Sequence, residues 1–109
     1  VSSSNFLNCS SGGDGGAIYN YGFTTMDNCS VINTSSGYYG AVYSYYDINV
    51  SNSNFINNSI INNGSSGDGA AIYAGGDSII KDSFFINNFN ALSNFSSLEP
   101  SFLNFLASA

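Results

Sequence analysis

The chain contains no histidine, no tryptophan and no arginine, and Lys81 is its single basic residue against seven acidic ones, giving a formal net charge of −6. Nucleic-acid binding is excluded on that ground, because Lys and Arg are what displace counterions from phosphates. An anionic membrane surface would repel the chain for the same reason. No apolar run approaches the ~18 residues of a spanning helix, so membrane insertion is not expected. Charged residues make up 7% and hydrophobic residues 43%. Disordered chains usually show the opposite balance, so a folded chain is expected despite abundant Asn, Ser and Gly. A length of 109 residues suits one small domain. The opening Val1-Ser2-Ser3-Ser4 shows no signal peptide and already lies in repeat-like sequence, which reads as a mature product or a fragment.

What is present is a repeat with one constant and one variable half. An Ala, a β-branched residue and Tyr recur as Ala17-Ile18-Tyr19, Ala41-Val42-Tyr43 and Ala71-Ile72-Tyr73. An apolar pair followed by Asn recurs at Phe6-Leu7-Asn8, Val31-Ile32-Asn33, Phe55-Ile56-Asn57, Phe85-Ile86-Asn87 and Phe102-Leu103-Asn104. From Ala17 to Val31, Ala41 to Phe55 and Ala71 to Phe85 the interval is always 14 residues, whereas the return to the next Ala takes 11, 10 and 16. Rigid strands joined by one extensible loop would produce that pattern. The summed periods, 25, 24 and 30, suit rungs of a coiled β-structure. The leucine-rich consensus with similar periods is missing, and the boxes favour the strand formers Val, Ile, Phe and Tyr.

These spacings predict an all-β fold: a right-handed single-stranded parallel β-helix of about four turns, each of 24–30 residues. Right-handedness follows from the general rule for parallel crossovers. Three strands per turn are expected, separated by Gly, Ser, Asn and Asp. Phe6, Val31, Phe55 and Phe85 should form one interior column, Ile18, Val42 and Ile72 a second, and Met26, Val50 and Ile80 a third. Asn8, Asn33, Asn57, Asn87 and Asn104 suggest an amide ladder along the axis, with glycan acceptors as the alternative. Turns are expected over residues 1–96. Residues 97–109 read as a shortened final turn copying the Phe-Leu-Asn box, or as a capping helix carrying Leu98, Phe102 and Leu106.

The paired boxes resemble the polymorphic outer-membrane-protein repeats and related adhesin-like repeats, whose signatures are Gly-Gly-Ala-Ile/Leu/Val and Phe-x-x-Asn. The first stands complete at Gly15-Gly16-Ala17-Ile18 and degraded at Tyr39-Gly40-Ala41-Val42 and Gly69-Ala70-Ala71-Ile72. The second stands at Phe55-Ile56-Asn57-Asn58 and Phe85-Ile86-Asn87-Asn88, while Cys9, Thr34 and Phe105 replace the final Asn elsewhere. The resemblance implies a β-helical region exposed on a cell surface and used for adhesion. The membrane-anchoring barrel of that family is absent from this sequence.

Little here suggests catalysis. Polysaccharide-cleaving β-helix enzymes use Arg or Lys with carboxylates, and Lys81 alone cannot supply both a clamp and a base. Asp47 and Asp77 each lie six residues after their box Ala and should become neighbours in successive turns. Repulsion between two close carboxylates is relieved by a raised pKa, a bridging cation or splaying into water. Solvated turn aspartates are the expectation, with a weak calcium site second; no other cofactor is expected. Asp14 and Asp68 lie in similar Gly-rich loops two turns apart, too far to share an ion, and their glycines suit tight turns. Those loops lack the lysine of a phosphate cradle. Cys9 and Cys29 fall about five residues apart laterally, ~16 Å at strand rise, beyond the ~7 Å reach of a disulfide, so free thiols are expected.

Seven Asn-x-Ser/Thr sequons occur, at Asn8, Asn28, Asn33, Asn49, Asn57, Asn63 and Asn94. Asn63, in the loop 59–68, and Asn28 and Asn49, just before strands, are the preferred N-glycan acceptors. Together these features point to a non-enzymatic, extracellular or cell-surface structural or adhesive solenoid. Its expected contacts are carbohydrate or host surfaces, and either other copies end to end in filaments or more of a longer chain. Alternatives are a polysaccharide-processing lyase or glycosidase, and an ice-binding solenoid, which only Thr24, Thr25 and Thr34 would serve. The eight Tyr are expected to pack mainly as structural columns, with an aromatic surface as the alternative.

Overall fold

A computed structural model of the chain describes residues 1–61 and 69–90. Its strands are short because apolar residues come in alternating groups of two or three between corner residues. The first circuit runs through β1 (Asn5–Leu7), β2 (Ile18–Asn20) and β3 (Thr24–Asp27). The next comprises β4 (Ser30–Ile32), β5 (Ser35–Ser36), β6 (Val42–Ser44) and β7 (Ile48–Ser51), followed by β8 (Asn54–Ile56), β9 (Ser59–Ile60), β10 (Ile72–Ala74) and β11 (Ser78–Lys81). The last described strands are β12 (Phe84–Ile86) and β13 (Phe89–Asn90).

Each strand pairs in parallel with its counterpart one rung away, so the fold is all-β and no helix occurs among the described residues. Four sheets result: β1-β4-β8-β12, β2-β6-β10, β3-β7-β11 and β5-β9-β13. Such an arrangement is consistent with a β-solenoid. The fourth sheet corrects the expected three strands per turn. Its strands are only two residues long and rich in serine, so the apolar pattern does not mark them; the bridge Ser10↔Ser35 begins the same sheet.

The expected columns form. Phe6 pairs with Val31, Val31 with Phe55 and Phe55 with Phe85. Val42 lies between Ile18 and Ile72, and Val50 between Met26 and Ile80. Met26, Val31, Val42, Phe55 and Phe85 are essentially inaccessible, and the Phe55 and Phe85 rings stack at 4.7 Å. Each such burial contributes ~1.5–3 kcal/mol, and a stacked aromatic pair adds up to ~1.5 kcal/mol.

Two corner columns bend the coil between these sheets. Among the described residues, all eight non-glycine positions with positive φ belong to them: Ser3, Asn28, Asn52 and Asp82 in one, Asn8, Asn33, Asn57 and Asn87 in the other. Their φ values lie between 48° and 56°. Asn and Asp tolerate this left-handed conformation better than other side-chain-bearing residues. That is why Asn recurs two residues after each box head. The expected amide ladder through Asn8, Asn33, Asn57 and Asn87 does not form; their side chains are exposed at the bend.

The ladder stands one residue further on, pointing inward. Asn58 Nδ2 donates to Asn88 Oδ1 at 2.9 Å and to the Val31 carbonyl at 2.9 Å, while Asn58 Oδ1 accepts from the Thr34 N–H at 3.0 Å. A matching hydroxyl ladder lines the other corner. Ser53 Oγ accepts from the Cys29 N–H and Ser83 Oγ from the Ser53 N–H, each at 3.1 Å. Buried backbone groups left idle by the bends are satisfied in this way. Residues 97–109, with the final box and the helix alternative, lie outside the described residues, as do Asn63, Asp68 and Asn94.

Candidate functional site

Asp47 and Asp77 meet as neighbours in successive rungs. The Asp77 N–H donates to Asp47 Oδ1 at 2.8 Å, and the Ile48 N–H donates to the Asp77 carbonyl at 2.9 Å. One Asp47 oxygen is therefore occupied by backbone. Among the described residues, no group of three or more His, Cys, Asp or Glu gathers around a common point. Asp14 is partly buried, which raises its carboxyl above the ordinary 3.8. Gly15 and Gly69, beside Asp14 and the position after Asp68, both have φ near 65°, as tight turns require.

The two thiols are free: Cys9 occupies the Asn58 column and Cys29 the Ser53 column, on different corners. Of the preferred sequons, Asn28 is an exposed corner residue whose Nδ2 lies 3.4 Å from Ser3 Oγ. Asn49 is exposed too, but it stands inside β7 rather than before it, between Thr25 and Ile79. Only its expected placement before the strand is corrected, because Ile48 already begins the strand, paired with Thr24.

The described surface carries two groups of aromatic rings. On the outward face of the β2-β6-β10 sheet, Tyr19, Tyr43 and Tyr73 stack nearly parallel, with ring centroids 4.8 and 5.1 Å apart. Tyr39 leans on both Tyr43 and Tyr73. Burial, reinforced by the neighbouring phenols, lifts Tyr43 above its ordinary 10.0. At the corner that follows, Tyr21 stacks on Tyr45 at 4.1 Å, Tyr46 meets Tyr45 edge-on, and Phe23 packs beside Tyr46. A hydrogen bond with Tyr45 and the charge of that phenol raise Tyr21 above 10.0.

Both sequence readings of the tyrosines are realised in one feature. The rings form columns, and the columns face outward: Tyr19 is 56% and Phe23 74% exposed. Within each stacked pair the rings cover one face of each other, and a face is left without a stacked ring where a column ends.

No family model, curated protein or solved structure matches the chain.

Sequence reasoning missed the inward serine column and the inward Asn58–Asn88 pair. The fourth position of Phe-x-x-Asn signalled the latter, since only a motif requirement beyond the bend would hold a second Asn there. Ser53 and Ser83, each two residues before a box head, were the signal for the former.

Proposed function

We propose that the chain is part of a right-handed single-stranded parallel β-helix that serves as a non-enzymatic extracellular structural and adhesive element. The observation that carries the reading is the rung-to-rung repetition of inward ladders and outward aromatic columns in unbroken register. Each rung completes its neighbour's hydrogen bonds, so the unit extends by adding rungs, and end-to-end stacking of copies yields filaments. Handedness follows the general preference of parallel crossovers. The outward tyrosines give the coil an amphipathic contact surface of the kind enriched at interfaces.

N-glycans on Asn28, Asn49 and Asn63 belong to the same proposal, with Asp47 and Asp77 as solvated turn aspartates that hold no cation. The resemblance to adhesin-like repeats supports a surface location. Electron microscopy of the protein secreted from a glycosylating host tests the reading, with enzymatic deglycosylation followed by mass measurement. Rod-like particles or filaments carrying removable glycan are expected. Short isotropic particles, unglycosylated and unable to bind any surface, would sink it.

A further inference from the structure

The corner column of aromatic rings stops at the third rung. Ser44 pairs with Asn20 on one side and Ala74 on the other, so Tyr21, Tyr45 and Gly75 occupy one column. Tyr21 covers one face of Tyr45. In the next rung the column continues as Gly75, followed by Gly76, where a Cβ would run into the Tyr45 carbonyl and into Asp47 Oδ1 respectively, so no side chain at these two positions covers the other face. Neither position accepts a side chain, so the third rung is a backbone shelf beside the Tyr45 ring. Tyr45 is 39% exposed, and Tyr46 closes one side edge-on at 4.9 Å. The exposed Asp77 follows directly on the shelf.

We propose that this shelf seats one pyranose unit of a neutral glycan, its C–H face against Tyr45 and a hydroxyl donating to the Asp77 carboxylate. The rung repeat of ~4.8 Å leaves the height of one stacked ring. The electropositive C–H groups of a sugar match the negative face of the aromatic ring. Charge selects the glycan. Carboxylates accept hydrogen bonds from hydroxyls, and the single cation, Lys81, lies four residues beyond Asp77, ~13 Å along a strand. Nothing at the corner neutralises an acidic sugar.

The inference rests on the adhesive reading, and its test separates the two. The full chain is titrated with cello-, chito- and manno-oligosaccharides and with oligogalacturonate, following two-dimensional NMR and tyrosine fluorescence, which no tryptophan masks. At least one neutral oligosaccharide should shift the Gly75, Gly76 and Tyr45 signals. Tyr45→Ala should weaken binding at least about tenfold, a loss of about 1.4 kcal/mol; Asp77→Asn should weaken it less, and Tyr38→Ala not at all. Unchanged thermal midpoints confirm that the variants fold. Binding that survives Tyr45→Ala, preference for oligogalacturonate, or no response to any neutral sugar overturns the shelf. Rods that bind surfaces in spite of that result leave the adhesive reading standing; loss of both removes both.

Discussion

The Asn58 side chain lies one rung above Asn88 and donates to its amide oxygen at 2.9 Å, with no accessible surface of its own. The same amide serves the Val31 carbonyl and the Thr34 N–H. Asn58→Ala leaves the Thr34 N–H buried without its acceptor, at ~1–3 kcal/mol, and takes a side-chain donor from the Val31 carbonyl. A loss of about 3 kcal/mol is expected, read as a lower urea midpoint with an unchanged slope. A variant within 1 kcal/mol of the parent would mean that water replaces the amide.

Asn87 tests the opposite kind of asparagine. It is exposed, with φ 55°, and serves the bend through backbone conformation. Asn87→Ala should cost about 1 kcal/mol, the left-handed penalty of an ordinary side chain. Asn87→Gly should be near neutral, because glycine enters that region freely. Equal losses in thermal denaturation would show that the Asn87 side chain matters for another reason.

These two residues also show how far the sequence was legible. The interval from Ala41 to Phe55 marked the register because strand residues there allow no insertion, and the columns of Phe55, Val42 and Val50 followed from it. Asn57 and Asn58 looked equivalent in composition. Their roles diverge only because a left-handed residue turns the next side chain inward, and that is a backbone event without a pattern of its own. The two-residue strand Ser35–Ser36 stayed hidden for a related reason: it is too short for alternation to register. At the aromatic corner the tyrosines were evident. The shelf was not, because it depends on Gly75 falling beneath Tyr45 in register.

Ser36 is 1% exposed, and its hydroxyl makes no hydrogen bond. Its column partner is Ile60, also buried. Removing an unsatisfied buried hydroxyl recovers part of its desolvation cost. Ser36→Ala should therefore raise stability by about 1 kcal/mol, seen as a higher thermal midpoint. A decrease would reveal a hydroxyl partner such as a bound water.

Asp27 contributes to the acid limb of stability. Hydrogen bonds from Asn52 Nδ2 at 3.0 Å and Ser51 Oγ at 2.8 Å hold its carboxyl below the ordinary 3.8. A carboxyl whose folded pKa is depressed binds its proton more readily when unfolded. Its stabilisation is therefore complete above 3.8 and is lost as pH falls from there through the folded value. Asp14, raised by burial, works in the opposite sense: ionisation favours the unfolded chain as pH rises through 3.8 and up to its folded value. Asp27→Asn should flatten the fall in thermal midpoint below 3.8, whereas Asp14→Asn should raise the midpoint at neutral pH and abolish the gain that Asp14 gives the parent as pH falls from its folded value to 3.8. Parallel curves for Asp27→Asn and the parent chain would show that the Asn52–Asp27–Ser51 cluster contributes nothing to acid stability.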